Sequence, residues 1–218
     1  MSAFDSLKLT ASHSLSRVLH AYADWRIGAT PAEKRAYNPT DEILFTFDDY
    51  GSTQQVNDIL RILKEKNVKA AFFLQGSWAA QNPELVDKIR SAGHIVGNHT
   101  YTHRVLMGMA DQEIRAEISN GIEAPWFRPP EGRYNNHIRE IAKSLGYAVC
   151  YWTIDSQDWT GAPVKEMRHT ILSELVPGAA ILFHLNAEHT IELLPSLIEE
   201  IRERGFDLVS PTTPAWRP

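Results

Sequence analysis

Along most of the chain, short runs of apolar residues alternate with segments in which apolar residues are spaced as on one face of a helix. Between the runs, apolar residues recur every three or four positions, as Val56, Ile59 and Leu63 do. Strands separated by helices pair in parallel, and strands apolar throughout are buried on both faces. The pattern predicts an α/β fold with a parallel sheet, open or closed into a barrel. Its seven candidate strands are residues 43–47, 69–74, 95–96, 126–127, 147–153, 179–183 and 207–209.

Residues with known end preferences delimit the helices. Pro83 suits a first helical turn and Gly93 suits a stop, which predicts a helix over 83–92. Asp111 suits an N-cap for the next helix, which ends at Asn120. Further helices are predicted over 136–145, 164–175 and 191–204.

The first 40 residues differ from the rest. Apolar positions between Leu15 and Trp25 follow helical spacing, and residues 28–40 contain Pro31 and Pro39. We predict an N-terminal extension over residues 1–40, with an amphipathic helix and a linker, followed by one domain over residues 41–218.

Composition narrows the class of protein. The 218 residues have a formal net charge of −5, which disfavours binding to nucleic acid or to an anionic membrane. The single cysteine, Cys150, excludes a scaffold built on disulfides. The N-terminus has no apolar signal-peptide core, which leaves open a cytosolic protein or an exported one whose signal is not in this sequence.

Ionisable side chains follow five of the candidate strands. In parallel α/β folds the carboxyl ends of the strands form the site, so these groups are expected to meet there. One such residue alone is more often a cap or a hydrogen-bond partner, but five strands contributing together indicate a functional site. The residues are Asp48, Asp49, His99, His103, Arg128, Asp155, Asp158 and His184.

Two of these groups have the spacing of metal ligands. His99 and His103 lie four residues apart, which on a helical turn places both imidazoles on one face. A carboxylate from Asp48 or Asp49 would complete a set of two imidazoles and one carboxylate. That set fits one catalytic zinc ion, and cobalt or another divalent first-row metal could also occupy it.

The adjacent carboxylates suggest a division of roles. Asp48 and Asp49 would repel each other unless a cation or an arginine lies close. If one binds the metal, the other is free to act as general base toward water. His184 could then protonate a leaving nitrogen or oxygen near neutral pH. Together these roles describe metal-assisted acyl hydrolysis.

Five segments match, in order, the motifs of a known family. The chain resembles the NodB-type polysaccharide deacetylases, carbohydrate esterase family 4, over residues 43–211. Because five motifs agree in order, the resemblance is far more specific than any one of them. The segments are TFDDYG at 46–51, HTYTH at 99–103, RPPEG at 128–132, DSQDW at 155–159 and LFH at 182–184.

The resemblance implies a role for each matched residue. Asp48 would be the base and Arg128 would hold it, while the Glu131 amide would bind the oxyanion. Asp158 would orient His184, the general acid. The metal ligands would be Asp49, His99 and His103, and the acetyl pocket would be lined by Trp159 and Leu182. The implied fold is a distorted, incomplete (β/α) barrel.

The resemblance also implies a substrate and a setting. The chain would act, as a monomer, on N-acetylated amino-sugar polymers or oligomers such as chitin, chito-oligosaccharide or peptidoglycan, outside the cell or at the wall. O-deacetylation of acetylxylan, a catalytically weak sugar-binding relative and a hydrolase of small cyclic amides remain alternatives. The complete set Asp49, His99 and His103 disfavours the last.

Two positions depart from the family pattern. Tyr50 stands where glycine is usual, and would narrow the cleft or stack on a sugar. Glu131 replaces an aromatic residue, so its carboxylate could alter sugar recognition although its amide is retained. Tyr134, two residues beyond that motif, is a further candidate for stacking on a sugar. For Trp126 and Cys150 we expect core positions.

Overall fold

The computed structural model describes residues 42–209, so the N-terminal extension predicted over residues 1–40 lies outside the described part. The strands are β1 Leu44–Asp49, β2 Ala70–Leu74, β3 Ile95–Asn98, β4 Trp126–Phe127, β5 Ala148–Val149, β6 Ile154–Asp155 and β7 Ala180–His184. The helices are α1 Thr53–Glu65, α2 Gly76–Gln81, α3 Pro83–Ser91, α4 Asp111–Ser119, α5 Asn136–Ser144, α6 Val164–Glu174 and α7 Glu188–Glu203. Short 3-10 turns cover Pro130–Gly132 and Asp158–Thr160.

The seven strands form one parallel sheet, as the alternation of strands and helices predicts. Their order is β5-β4-β3-β2-β1-β7-β6, with the long strands in the middle. In the register of the sheet, Phe47 lies beside Phe72 on one side and Phe183 on the other. The carboxyl ends of β1, β3 and β7 therefore meet at one end of the sheet.

The connection between β5 and β6 shows that the sheet is curled. These strands lie at opposite edges, yet only residues 150–153 separate them. The step from residue 149 to residue 154 spans at most about 18 Å. The edges of a flat seven-stranded sheet would be about 29 Å apart. The sheet therefore curls through at least about half a circle, which confirms the incomplete barrel.

Two of the strand predictions are wrong in detail. Residues 147–153 form no single strand, because Cys150 N–H donates to Phe127 O in β4 while Thr153 N–H donates to Ala180 O in β7, on the other side of the sheet. Residues 207–209 contribute only an isolated bridge between Ile43 and Leu208.

The starts of two helices also differ from the prediction, and the predicted ends lie one residue beyond the observed ones. Ala110 is the N-cap of α4, so Asp111 is the first helical residue, where its charge favours the helix dipole. Helix α7 begins at Glu188, three residues earlier than predicted.

Alternation along β1 and β7 determines which side chains reach the site. Phe45, Phe47 and Phe183 pack against the helices outside the barrel. Residues of opposite parity therefore point inward. On this inner face Thr46 pairs with Leu182 and Asp48 pairs with His184. Trp126 and Cys150 are buried in the inner core, as predicted.

Within residues 42–209, no helix is long and apolar enough to cross a bilayer.

Candidate active site

Both carboxylates at the end of β1 reach the same site. Asp48 points inward by strand alternation, and Asp49 ends the strand with a φ of 74°. This left-handed conformation, which aspartate tolerates better than most residues, turns the second side chain toward the same end of the barrel. As a result Asp48 Oδ2 lies 3.7 Å and Asp49 Oδ1 3.5 Å from His99 Nε2.

His99 is oriented by a backbone carbonyl. Its ring is buried, and Nδ1 lies 2.6 Å from the carbonyl oxygen of Arg128. Because a carbonyl only accepts hydrogen bonds, Nδ1 carries a hydrogen, so the lone pair of the neutral ring lies on Nε2. A ring nitrogen fixed in this way is typical of histidines that bind metals.

His103 reaches the site from a loop, not from the helical turn that the spacing predicts. Thr100 and His103 are both left-handed, with φ values of 63° and 61°. Side chains replace the helical hydrogen bonds, because Thr100 N–H donates to Asn98 Oδ1 and His103 N–H donates to Thr100 Oγ1. His103 Nε2 lies 3.1 Å from Asp49 Oδ1, so the two imidazoles still meet at this carboxylate.

These three residues fit a metal ion. One potential ligand atom from each of Asp49, His99 and His103 lies within 4.8 Å of the others. Asp49 Oδ1 is buried and accepts no aligned hydrogen bond from residues 42–209. Burial acts to raise the pKa of Asp49, but the two imidazoles, when they carry protons, outweigh it and hold that pKa well below its usual range. Lone pairs that converge in this way need a cation, and this donor set suits zinc or another first-row metal.

Arg128 holds the other carboxylate. Its fully buried guanidinium donates from Nη1 to Asp48 Oδ1 at 2.6 Å and to Thr46 Oγ1 at 2.9 Å. Nη2 donates to Tyr151 O, and the guanidinium carbon lies 4.0 Å from the centroid of the Phe73 ring. The hydrogen bond from Arg128 Nη1 engages Asp48 Oδ1, so Asp48 Oδ2 lies on the side of the imidazoles.

Asp158 and His184 form the second acid–base pair of the site. Asp158 Oδ1 lies 2.7 Å from His184 Nδ1, and Asp158 Oδ2 accepts from His184 N–H at 2.8 Å. The hydroxyl of Thr190 donates to the same Oδ2 at 2.6 Å. Burial lowers the pKa of His184, but Asp158 outweighs it and raises that pKa to about 9. The imidazole is therefore protonated at neutral pH, with Nε2 as its remaining donor.

Replacing Asp158 by Asn is expected to lower the pKa of His184. Because the folded pKa is raised from 6.5 to about 9, the pair stabilises the fold fully below pH 6.5 and loses this contribution as the pH rises through 9. In Asp158→Asn, only the charges of Asp48 and Asp49 still oppose burial, so the pKa of His184 should fall from about 9 toward its ordinary value. NMR titration of the His184 ring in both chelated proteins measures the shift, and equal pKa values would contradict this assignment.

The remaining candidates occupy different environments. Trp159 is 61% exposed beside the Asp158–His184 pair, and Tyr50 is exposed directly after Asp49. Leu182 is buried on the inner face, two residues before His184. Their contacts with a substrate stay predictions.

Glu131 has the backbone geometry of a tight turn. Its φ is 54°, and the two hydrogen bonds of the turn use the amides of Gly132 and Arg133. Its side chain points to solvent, with Oε2 3.5 Å from Arg133 Nη1. The carboxylate is therefore available at the surface, while the role of the Glu131 amide stays a prediction.

Tyr134 does not line an open cleft. Its side chain is fully buried in the core cluster that includes Phe127 and Tyr151. A ring without exposed surface cannot stack on a sugar, so the prediction for Tyr134 is wrong. The turn at Pro130–Gly132 directs the Tyr134 ring into the core. Its position two residues after the RPPEG segment gave no information about this direction.

Sequence reasoning missed two residues that hold the site in place. Thr190 bonds to Asp158 from the first turn of α7, and nothing in its sequence context marks it. Glu117 bonds to Thr102, next to His103. Glu117 lies three residues after the buried Ile114, on the apolar face of α4. A charged residue on this face was the feature of the sequence that could have identified it.

Comparison with known proteins agrees with this geometry. The family described as polysaccharide deacetylase matches residues 35–150. A peptidoglycan-N-acetylglucosamine deacetylase of Bacillus cereus is 31% identical over 182 residues, which cover 78% of this chain and 66% of the relative. The chain thus spans just under two thirds of that relative's length.

Two solved structures share the fold. A family 4 carbohydrate esterase from Streptomyces lividans, in complex with acetate, superposes with a TM-score of 0.72 at 30% identity, over 82% of this chain and 98% of the other. A pseudoenzyme of the same family from Bacillus anthracis superposes with a TM-score of 0.74 at 27% identity, over 80% and 65%. The curled parallel sheet, the motifs and these matches lead to one conclusion: the chain belongs to the NodB-type polysaccharide deacetylases, carbohydrate esterase family 4.

Proposed function

We propose that this chain is a metal-dependent hydrolase that removes acetyl groups from N-acetylated amino-sugar polymers or oligomers. The observation that carries the proposal is the convergence of Asp49, His99 and His103 beside Asp48, which pairs with His184 across β1 and β7. Deacetylases of peptidoglycan among the relatives support the substrate class. Chitin, chito-oligosaccharide and peptidoglycan all present this amide.

The metal site would supply one part of the chemistry. Asp49, His99 and His103 would hold a divalent ion, for which we propose zinc, and the chemistry it would supply is polarisation of the acetyl carbonyl and a lower pKa for water. Asp48 accepts the proton of the attacking water at Oδ2, because Arg128 occupies Oδ1. Arg128 also fixes the direction of this carboxylate.

The opposite side of the site would complete the hydrolysis. The Glu131 amide donates a hydrogen bond to the oxyanion that forms from the acetyl carbonyl. His184 Nε2 then protonates the leaving nitrogen while Asp158 holds Nδ1. The C–N bond breaks, and the products are acetate and the free amine. Leu182 and Trp159 would enclose the acetyl methyl group.

Two alternatives are each favoured by one relative. The Streptomyces lividans esterase favours O-deacetylation, as on acetylxylan, which the same residues could perform. The Bacillus anthracis pseudoenzyme favours a sugar-binding role without turnover. This chain has a residue for every proposed role, so we place it with the active members. We further propose that it acts as a monomer on glycan outside the cell or at the wall.

Acetate release from three substrates tests the proposal. Purified protein is incubated side by side with N-acetyl-chito-oligosaccharides, peptidoglycan and acetylxylan, with zinc supplied. We expect release from at least one N-acetylated substrate and slower release from acetylxylan. Release from acetylxylan alone would show that the chain hydrolyses acetyl esters and not acetyl amides. Binding of all three without release would assign the chain a binding role.

A further inference from the structure

The loop formed by residues 99–103, here called the metal loop, carries both imidazoles and is held in an unusual conformation. Thr100 and His103 both have positive φ, a region that non-glycine residues populate sparsely. Such a backbone persists only where surrounding contacts determine it. The direction of the ligand atoms therefore depends on what holds the loop.

Contacts from two helices hold the metal loop. On one side, the amides of Gly76 and Ser77 at the start of α2 donate to the carbonyls of Thr100 and Tyr101, each at 2.8 Å. On the other side, Tyr101 N–H donates to the carbonyl of Glu117 in α4 at 2.8 Å. His103 comes last in the loop and is the more exposed of the two imidazoles.

The Glu117 carboxylate holds the residue directly before His103. Thr102 N–H donates to Glu117 Oε2 at 2.9 Å, and Thr102 Oγ1 donates to Glu117 Oε1 at 2.5 Å. Each carboxylate oxygen thus takes one hydrogen bond from Thr102. Together with the carbonyl contact to Tyr101, this gives Glu117 three bonds to two successive residues of the loop.

Burial of this carboxylate is costly without a partner. Glu117 is only 8% exposed, and within residues 42–209 no lysine, arginine or histidine forms an ion pair with it. A buried carboxylate needs hydrogen bonds that compensate for lost hydration, and both of its side-chain bonds go to the metal loop. The hydrogen bonds to the metal loop therefore explain why the Glu117 carboxylate is buried at this position.

We propose that Glu117 is a positioning residue for the metal site. By fixing Thr102, it sets the direction from which His103 Nε2 approaches Asp49 and His99. The inference rests on the metal site of the proposed function and concerns affinity for the ion, not turnover. Groups outside the ligand set commonly change metal affinity by 10- to 100-fold when removed.

Zinc affinity of matched variants tests this role. Competition with a chromophoric chelator gives the Kd for wild type, Glu117→Ala, Glu117→Gln and Glu113→Gln. Glu117→Ala removes both bonds to Thr102, and we expect zinc binding weaker by about 10- to 100-fold. Glutamine can accept from Thr102 N–H and donate to its hydroxyl, so Glu117→Gln should recover most of the affinity. Glu113→Gln removes a charge from the same helix and loses only an exposed ion pair with Arg104 at 3.7 Å, which contributes little, so Kd should stay unchanged.

The outcomes separate positioning from mere stability. A folded Glu117→Ala protein with wild-type zinc affinity would overturn the proposal, whatever its melting temperature. If Glu117→Ala does not fold, Thr102→Val replaces it, since it removes only the hydroxyl bond at an exposed position. Unchanged affinity in Thr102→Val would then overturn the proposal. A wild-type protein that binds no zinc would instead overturn the proposed function, and this inference with it.

Discussion

Replacing Asp48 by Asn is expected to lower kcat for deacetylation by about 10²- to 10⁴-fold, the usual contribution of a general base. An amide in place of the carboxylate cannot accept the proton of water, but it keeps the shape of the side chain. Asp48 is not among the three proposed ligands, so zinc content should stay as in wild type. Rates of acetate release and the amount of bound metal, measured on the same preparation, test both expectations.

An exposed carboxylate provides the matched control. Asp87 on α3 is exposed, so Asp87→Asn changes the charge equally and should leave kcat unchanged. If Asp48→Asn binds zinc and keeps full activity, Asp48 is not the base. If it loses zinc as well as activity, Asp48 acts as a ligand and the division of roles between Asp48 and Asp49 is wrong.

Replacing Arg128 by Met is expected to lower the free energy of unfolding by about 3–5 kcal/mol, the cost of leaving a buried charge without its partner. Arg128 is fully buried and holds Asp48 Oδ1 at 2.6 Å, while Asp48 itself is 3% exposed. The methionine fills part of the space but leaves the carboxylate without its strongest donor. Chemical denaturation of both chelated proteins gives the difference.

A double variant separates the lost partner from lost packing. In Asp48→Asn/Arg128→Met no carboxylate is left unpaired, so part of the stability should return relative to Arg128→Met alone. The guanidinium also covers the Phe73 ring, so recovery should be incomplete. Stability within 1 kcal/mol of wild type in Arg128→Met would show that this pair contributes little to the fold.

The strands were largely predictable because burial on both faces leaves a simple pattern. Apolar runs located the central strands β1, β2 and β7 to within two residues at each end. The apolar run over 147–153 led to a wrong prediction of one strand. Hydrophobicity indicates which residues are buried but not which residues they hydrogen-bond to. Cys150 bonds to β4 and Thr153 bonds to β7, on opposite sides of the sheet, so this segment bridges the gap of the incomplete barrel.

The site was predictable to the extent that chain position determines it. Parallel strands bring the residues at their carboxyl ends together, so Asp49, His99, His103 and His184 could be grouped without coordinates. Their orientations could not be predicted, because the left-handed backbones of Asp49 and His103 depend on contacts from other elements. Glu117 was missed for the same reason, since it meets the metal loop only in the folded chain.

The most direct test of the account is the metal dependence of acetate release from N-acetyl-chito-oligosaccharides. Release is measured on the protein as purified, after complete chelation, and after one equivalent of zinc or cobalt is returned, with bound metal counted each time. We expect release to disappear on chelation and to return with one ion bound per chain. Release that continues at the same rate in the metal-free protein would contradict this expectation.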